Sequence, residues 1–318
     1  LLGTGGMGSV HLVEDQKLEQ KQMALKAINP SLVESAEVRR RFVHEVLAAQ
    51  ELAHENIIRV FHLDEVHGIQ FFTMEYLGGR NLREVMQGRF TQGQVFGIKE
   101  AAAIINPVLS ALEHAHSHNV IHRDLKPENI IVSGNLPDVQ VKVLDFGLAR
   151  IMSPSRLTSS AVAMGTAYYM APEQLSGTGD VDARSDIFAA GVVLYELLTG
   201  KVPTGRFKLP SELITDLPGS VDEIVDTALQ QDRGDRYPRA ENMRQALEKE
   251  IAETAPADEE TGGKREPNPQ EKPAAERVDE AAKQPAGEQK RSGEKPPGKG
   301  KNLKRGIIAA GLLAIVAV

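Results

Sequence analysis

The residues of clearest chemical meaning are two carboxylates and an amide in the middle of the chain. Asp124 and Asn129 stand in the run HRDLKPEN with Lys126 between them, and Asp145 ends the apolar run VKVLD ahead of Phe and Gly. Oxygen ligands of this type suit a magnesium ion bound to a triphosphate, and a further carboxylate can orient an attacking hydroxyl. Each piece alone has a structural explanation: the Asp–Phe–Gly triplet could be a strand-end turn, and we interpret His122 as a packed histidine.

A glycine-rich segment, GTGGMG, occupies residues 3–8. A lone G-x-G-x-x-G is weak evidence, because it fits both dinucleotide and nucleotide loops. The dinucleotide fingerprint needs a helix directly after the glycines, whereas the residues that follow here, SVHLVED, predict a strand. This order favours a β-hairpin flap over phosphates, with a plain glycine turn as the alternative.

A lysine and a glutamate follow the glycines. Lys26 lies in the strand-like run MALK, and Glu45 lies in the middle of an amphipathic helix pattern. A buried ammonium is costly without a charged partner, so we expect Glu45 to pair with Lys26. The alternative is that both are solvated surface charges.

The elements that must position these residues divide the chain into two unequal halves. Residues 1–77 predict short strands around one helix at 35–53, and helices dominate from residue 81 onward. The strands are predicted at 10–15, 23–29, 57–66 and 69–77, and the later helices at 99–118, 186–200, 220–230 and 241–253. The predicted fold class is α+β, with a small β-rich lobe followed by a larger, mainly α-helical lobe.

Composition excludes several classes of protein. The chain has 318 residues, no Cys and a formal net charge of −7. The lack of Cys excludes a disulfide scaffold, a thiolate zinc site and a cysteine nucleophile, and it favours an intracellular compartment for the folded part. The acidic balance argues against binding to nucleic acid.

Composition changes after residue 253. Residues 254–301 contain no aromatic residue, Leu or Ile, and residues 254–305 carry twelve basic and ten acidic side chains. Such a segment cannot offset the entropy of ordering, so we predict a disordered, charged linker over 254–305. Residues 1–253 then carry 25 basic and 34 acidic side chains, a net charge of −9.

An apolar run of thirteen residues, GIIAAGLLAIVAV, follows at 306–318. A spanning helix needs about 20 residues, so we interpret the run as a transmembrane helix cut off by the end of the sequence. A short apolar tail, or a helix packed on the folded part, is the alternative. Basic residues at 295–305 precede the run, and positive charge beside a span stays cytoplasmic. We therefore expect a single-pass protein of the cell membrane with its folded part in the cytoplasm.

The glycine flap, MALK, HRDLKPEN, DFG and a later APE occur in an order that resembles the protein-kinase superfamily. Within it, the sequence resembles the bacterial serine/threonine kinases of eukaryotic (Hanks) type that are anchored by one membrane span. The resemblance covers residues 1–253 and implies a bilobal kinase fold, with an N-lobe at 1–77 and a C-lobe at 78–253. The strand that precedes the glycine flap in this family is missing from the sequence, and the chain opens on Leu1 inside the motif, which we interpret as truncation.

The resemblance also implies roles for individual residues. It implies an ATP site formed by the flap, the roof of the adenine pocket, the phosphate-binding lysine, the gatekeeper and the hinge: Gly3, Gly5, Gly6, Gly8, Val10, Ala24, Lys26, Met74, Glu75 and Leu77. It implies catalysis by Asp124 and Lys126, with Lys26 and its helix partner Glu45, and metal binding by Asn129 and Asp145. Structural roles are implied for Arg123 and Thr166, for Asp186 as a brace of the catalytic loop, and for Glu173 and Arg236 as an ion pair.

Regulation and partners follow from the same resemblance. The hydroxyl-rich segment between DFG and APE predicts phosphorylation of Thr158 and Ser160, with Arg123 beside the catalytic aspartate as the group that would bind the phosphate. The implied cofactors are ATP and Mg²⁺, with Mn²⁺ as an alternative. The implied partners are proteins with Ser or Thr acceptors, the membrane, and a second copy of the chain for autophosphorylation.

Three functions fit the motifs to different degrees. An active Ser/Thr kinase is favoured, because Lys26, Asp124, Asn129 and Asp145 are all present. A nucleotide-binding pseudokinase and a membrane-tethered scaffold are the alternatives. The short stretch at 199–219, and Gly234 where the family commonly has a proline, leave the docking of substrate open.

Overall fold

Two lobes follow one another along the chain in a computed structural model, the first built on a sheet and the second on helices. The structure describes residues 1–16, 20–147, 166–177 and 181–254, without the side chains of Thr166 and Thr254. All of these belong to one compact unit, Leu1–Glu259. The predicted linker, the apolar run at 306–318 and the predicted phosphorylation sites Thr158 and Ser160 lie outside the described residues.

The first lobe is an antiparallel sheet of five strands in the order β1-β2-β3-β5-β4. Its strands are β1 Gly3–Gly5, β2 Gly8–Asp15, β3 Lys21–Ile28, β4 Val60–Val66 and β5 Ile69–Glu75. Five consecutive residues of β5 are buried, as expected for a strand with neighbours on both sides. The register sets Lys26 opposite Val10 on β2 and Phe72 on β5, which brings the lysine to the centre of the sheet.

One long helix, α1 (Ala36–Glu51), packs on this sheet. It starts where the Ser35 side chain accepts a hydrogen bond from the Val38 amide, which satisfies one of the free N–H groups of the first turn. Phe42, Val46 and Ala49 recur at helical spacing and are buried. Since Phe42 and Val46 share a core with Phe72, this face fixes α1 against the sheet.

The second lobe is built around two buried helices, α3 and α5. Its helices are α2 Leu82–Phe90, α3 Ile98–Ser117, α4 Pro172–Ser176, α5 Arg184–Thr199, α6 Pro210–Leu213, α7 Gly219–Ala228 and α8 Ala240–Thr254. Nearly every residue of α5 is buried, so this helix is the centre of the lobe rather than part of its surface.

A small sheet, in the order β6-β7-β8, carries the polar motifs of this lobe. Its strands are β6 Arg80–Asn81, β7 Ile130–Asn135 and β8 Asp138–Val143. The turn Pro127–Asn129 leads directly into β7, and Asp145 follows β8. Because β7 and β8 pair as a hairpin, the HRDLKPEN and DFG segments come together.

Two findings bear on the sequence predictions. The first described strand, β1, is three residues long, lies within the glycine flap itself and pairs with β2, so the lack of a strand before the flap stays a prediction. Among the helices that the structure describes, none is long and apolar enough to cross a membrane.

Candidate active site

The catalytic-loop residues predicted from HRDLKPEN form a hydrogen-bonded group. Lys126 Nζ lies 3.0 and 2.8 Å from the two carboxylate oxygens of Asp124. The Asn129 side-chain amide donates to the Asp124 carbonyl at 2.8 Å and to its Oδ2 at 3.2 Å. The Lys126 ammonium and the Asn129 amide thus hold the Asp124 carboxylate in a fixed orientation. A substrate hydroxyl can be positioned only by a carboxylate that is itself held in place.

His122 is fully buried and holds this loop in place. The Asp124 amide donates to His122 Nδ1 at 3.2 Å, and His122 Nε2 lies 2.7 Å from the Leu144 carbonyl oxygen. An amide can only donate and a carbonyl can only accept, so the neutral tautomer with hydrogen on Nε2 satisfies both bonds. His122 therefore links the catalytic loop to the segment before Asp145, in agreement with its interpretation as a packed histidine.

Asp186 at the start of α5 holds the catalytic loop by hydrogen bonds to its backbone. Its carboxylate accepts the backbone amides of His122 and Arg123, both at 2.8 Å, and a side-chain bond from His116 at 2.8 Å. Burial acts to raise the pKa of Asp186, but these donors act more strongly, so that its pKa lies below the ordinary value. The bracing role predicted for Asp186 fits this geometry, whereas His116 was not anticipated, because a histidine at the end of a helix carries no motif.

The structure gives Lys26 a different partner from the one expected. Lys26 is 6% exposed, and its ammonium forms an ion pair with Asp145 Oδ2. Glu45 on α1 approaches Gly147 instead, with its Oε2 2.8 Å from the position that a β-carbon would take there. The predicted Lys26–Glu45 pair is thus replaced by a Lys26–Asp145 pair. The physical requirement is the same, since a buried ammonium needs a carboxylate and Asp145 supplies it.

The DFG segment adopts a constrained backbone. Asp145 has φ +60° and Gly147 has φ +74°, both in the left-handed region. Such a conformation costs a non-glycine residue about 1–3 kcal/mol and is concentrated at functional sites. Phe146 between them is buried against the His122 ring, with ring centroids 4.7 Å apart. Packing of Phe146 therefore fixes the segment, while Gly147 leaves room for the Glu45 carboxylate.

The glycine flap, residues 3–8, comprises β1, the turn that follows it and the first residue of β2. A β-carbon on Gly8, which has φ +144°, would lie 1.9 Å from the Ala27 carbonyl oxygen, so Gly8 is required by the fold itself. A β-carbon on Gly3, Gly5 or Gly6 would meet nothing within 4 Å. The fold therefore does not demand these three glycines, and the space over them is open to a ligand that approaches the backbone closely.

The predicted adenine-pocket residues lie on adjacent strands of the first lobe. The register pairs Ala24 on β3 with Met74 on β5, and both are buried. Val10 and Leu77 are partly buried and pack against the same core. Glu75 ends β5, and its amide donates to the Arg59 carbonyl at 2.9 Å. These residues form the wall that the resemblance assigns to the nucleotide, and their role stays a prediction.

The residues proposed to bind metal suit a divalent cation. Both N–H bonds of the Asn129 amide are directed to Asp124, which leaves Oδ1 as an oxygen ligand, and Asp145 adds a carboxylate. Among the described residues, no group of three His, Cys, Asp or Glu side chains could hold a metal ion by itself. Two protein oxygens are enough when the phosphates of a nucleotide complete the coordination, so the donor set fits.

The predicted Glu173–Arg236 pair is formed. The Arg236 guanidinium donates to both carboxylate oxygens of Glu173, at 2.8 and 2.9 Å, and Ser185 donates to Oε1 at 2.6 Å. Burial acts to raise the pKa of Glu173, but the bonds from Arg236 and Ser185 outweigh it and lower the pKa. This pair ties α4 to α5 and to the Arg233–Asp235 turn.

A second polar network near the catalytic loop escaped the sequence analysis. Arg83 on α2 donates to Glu128 at 2.9 Å and to Glu196 at 2.7 Å, and it also contacts the Tyr169 hydroxyl. Tyr169 in turn donates to Glu196. These residues are far apart in sequence. Among them only Glu128 belongs to a motif, because it lies in HRDLKPEN beside Asn129.

The activation segment is described only at its end. Thr166 begins the turn Thr166–Tyr169, and its side chain lies outside the description. The Arg123 carbonyl accepts a bond from Gln174 at 2.9 Å, which joins the catalytic loop to α4. Arg123 has φ +66°, a further constrained residue beside Asp124. The phosphate-binding role of Arg123 and the role of Thr166 stay predictions.

Comparison with known proteins identifies the family. The protein kinase domain model matches residues 1–252. The chain is 39% identical over 267 residues to the probable serine/threonine-protein kinase PknB of Corynebacterium glutamicum, an alignment that covers 76% of this chain and 40% of that protein. It is 35% identical over 259 residues to the serine/threonine-protein kinase PrkC of Bacillus subtilis, covering 76% of this chain and 38% of that protein.

Solved structures agree with the sequence matches. The kinase domain of PknI from Mycobacterium tuberculosis superposes with a TM-score of 0.64 at 30% identity, covering 78% of this chain and 93% of that domain. The chain belongs to the protein kinase family and carries a serine/threonine-type kinase domain with the predicted bilobal fold. It spans about 40% of the length of the curated relatives that it matches.

Proposed function

We propose that this protein is an active serine/threonine kinase, which transfers the γ-phosphoryl group of ATP to hydroxyl groups of proteins. The observation that carries the proposal is the Asp124 carboxylate, oriented by Lys126 Nζ at 2.8 Å and by the Asn129 amide at 3.2 Å. Lys26 and Asp145 are present in the same domain and contact each other. A complete set of this kind favours catalysis over nucleotide binding alone.

In the proposed reaction, the acceptor hydroxyl oxygen attacks the γ-phosphorus while the bond from that phosphorus to the β–γ bridging oxygen breaks. ADP leaves with the electrons of the broken bond, and the hydroxyl proton passes to the Asp124 carboxylate and then to solvent. The Lys126 ammonium contacts the Asp124 carboxylate. It supplies positive charge where negative charge develops on the transferred phosphoryl group. We propose Mg²⁺, with Mn²⁺ as an alternative, as the cation that Asn129 and Asp145 hold to neutralise the phosphates.

The test is phosphate transfer to a generic basic protein by the full chain and by Asp145→Asn. Loss of one ligand charge is expected to lower the transfer rate by at least about 100-fold. Asp216→Asn, which changes an exposed carboxylate, is the matched control and should retain full activity. If the unsubstituted chain binds ATP but transfers no phosphate to any Ser or Thr, the protein is a pseudokinase and the proposal fails.

We further propose that autophosphorylation of the segment between DFG and APE, at Thr158 and Ser160, activates the kinase. A phosphate brings a charge of roughly −1.5 to −2, and an arginine can bind it with charge-assisted hydrogen bonds. The fixed backbone of Arg123, whose amide donates to Asp186 at 2.8 Å, supports its role as that arginine.

Mass mapping after incubation with Mg-ATP tests this regulation. We expect phosphate at Thr158 or Ser160, and a large loss of activity in a Thr158→Ala/Ser160→Ala double variant. If phosphorylation occurs between two copies of the chain, its rate per molecule should rise with protein concentration. Full activity of the double variant, with no phosphate in this segment, would rule the mechanism out.

The location of the kinase is part of the proposal. We propose that the apolar run at 306–318 attaches the protein to the cell membrane and that the kinase domain faces the cytoplasm. The basic residues at 295–305 support this orientation, because positive charge beside a membrane segment is retained on the cytoplasmic side.

A further inference from the structure

A cleft separate from the predicted catalytic site opens behind the hinge. It has a volume of about 600 Å³, within the range of sites that hold small molecules. Its walls come from the start of β3, the segment after α1, the beginning of β4, the end of β5, and β8. None of the residues predicted to bind metal or to carry out catalysis lines it.

The cleft combines an apolar floor with an excess of positive charge. Leu52, Ile57, Phe61 and Tyr76 supply apolar surface. Three cations, Lys21, Arg59 and Lys142, face one carboxylate, Glu75. Burial and the nearby Lys142 both lower the pKa of His54, which also lines the cleft, against an opposing effect of Glu55, so His54 is neutral at pH 7. The formal charges of the residues that line the cleft therefore sum to +2.

The three cations differ in whether they are paired. Lys142 binds the Glu75 carboxylate at 2.9 Å and so neutralises it. Lys21 and Arg59 form no ion pair with any carboxylate of the described residues, although Asp15 is the ladder neighbour of Lys21. The Lys21 ammonium lies 5.3 Å and the Arg59 guanidinium 6.0 Å from the centre of the same Phe61 ring. Two like charges held at one ring repel each other, and an anion between them would remove that repulsion.

We propose that this cleft is a binding site for a small aromatic anion, a flat apolar body that carries one carboxylate, sulfonate or phosphate group. The apolar body would occupy the floor beside Phe61 and Tyr76, and the anionic group would lie between Lys21 and Arg59. Such a ligand would contact the flank of the hinge through Glu75 and Tyr76 without entering the nucleotide pocket. The site does not depend on the proposed kinase activity.

The experiment uses 1-anilinonaphthalene-8-sulfonate as the probe, with fluorescence titration of the full chain. Excess Mg-ADP is present to keep the probe out of the nucleotide pocket. The uncharged analogue N-phenyl-1-naphthylamine has the same aromatic body without the sulfonate. We expect the sulfonate to bind with a nucleotide-independent component that the uncharged analogue lacks.

Variants assign that component to the cleft. A Lys21→Met/Arg59→Met double variant keeps the side-chain stems that cover Phe61 and removes both charges. It should weaken binding of the sulfonate by about tenfold or more, since it removes both charge-assisted contacts to the anion. The matched control, Lys99→Met/Lys201→Met, removes two exposed cations that do not line the cleft and should leave binding unchanged.

Two further results decide the proposal. Arg59→Lys retains a cation and should bind the sulfonate within about threefold of the unsubstituted chain, which separates loss of charge from loss of fold. Equal affinity in the double variant and the matched control would overturn the proposal. Equal weakening of the charged and the uncharged probe in the double variant would overturn the role of the anion.

Discussion

At the scale of single residues, Asp186 shows how one buried carboxylate fixes the catalytic loop. It accepts two backbone amides and a bond from His116, and it is 1% exposed. Those bonds exist only while the carboxylate can accept them. Protonation of Asp186 would turn one carboxylate oxygen into a donor and would weaken the hold on the loop that carries Asp124.

The first prediction at this scale concerns the pH dependence of stability. Because the pKa of Asp186 is lower in the folded than in the unfolded chain, its contribution is present above the unfolded pKa of about 3.9 and is lost as pH falls through the folded pKa. Asp186→Asn should lower the free energy of unfolding by about 3–5 kcal/mol at pH 6. The difference from the unsubstituted chain should shrink as pH falls below about 4.

Urea unfolding at several pH values between 3 and 6 measures this. Other carboxylates with lowered pKa values, such as Glu173, also make the chain less stable in acid, so the comparison must be the difference between variants. Asp216→Asn, at an exposed position, provides the baseline. A difference that stays constant across this pH range would contradict the linkage to Asp186.

At the scale of elements, the Arg83 network joins four segments around the site. Arg83 on α2 contacts Glu128 beside Asn129, Glu196 on α5 and Tyr169 at the end of the activation segment. Burial acts to lower the pKa of Arg83, but the bonds to Glu196 and Glu128 raise it overall. The guanidinium is thus charged and holds the Glu196 carboxylate, which is 5% exposed.

The prediction at this scale is a double-mutant cycle. Arg83→Met should destabilise the domain by about 3 kcal/mol, because it leaves the buried Glu196 charge without its cation. Adding Glu196→Gln removes that charge and should recover part of the loss. Arg80→Met, an exposed arginine three residues earlier, should change stability by less than about 0.5 kcal/mol. Purely additive losses in urea unfolding would show that the two side chains are not coupled.

The sequence predicted elements better than contacts. The helix expected at 35–53 is observed as α1 at Ala36–Glu51, and the strands around Lys26 and Met74 are observed as β3 and β5. These elements follow from local periodicity and from a capping serine. The partner of Lys26 could not be predicted in this way, because it depends on where α1 and the segment after β8 lie in three dimensions.

The family motifs predicted more of the site than the spacing of residues alone could. Glu173 and Arg236 are 63 residues apart, and only the family resemblance linked them before the structure showed the pair. No comparable signal existed for His116, Arg83 or Tyr169. Their roles come from long-range packing around α5, which no local pattern encodes.

At the scale of the whole molecule, the Lys26–Asp145 ion pair joins the two lobes, as the Lys142–Glu75 pair also does. Lys26 stands on the central sheet of the first lobe, and Asp145 follows the β8 strand of the second. Both are residues that the proposed reaction would use to bind the phosphates and the metal. In the structure the two charges neutralise each other. Nucleotide binding would therefore exchange this internal ion pair for contacts with the ligand. The free energy of nucleotide binding would be less favourable by the free energy of the Lys26–Asp145 pair.

The last prediction concerns attachment to membranes, through the basic residues at 295–305 and the apolar run that follows. Flotation with vesicles of phosphatidylcholine, with and without phosphatidylserine, measures attachment of the full chain at physiological salt. A chain that ends at residue 305 should lose attachment to neutral vesicles, because it lacks the apolar residues. Replacing Lys295, Lys299 and Lys301 by Gln should weaken binding to the anionic vesicles by on the order of 100-fold, at about 1 kcal/mol per lysine, and should not affect neutral vesicles. Equal flotation of the shortened and the full chain would show that the apolar run does not anchor the kinase.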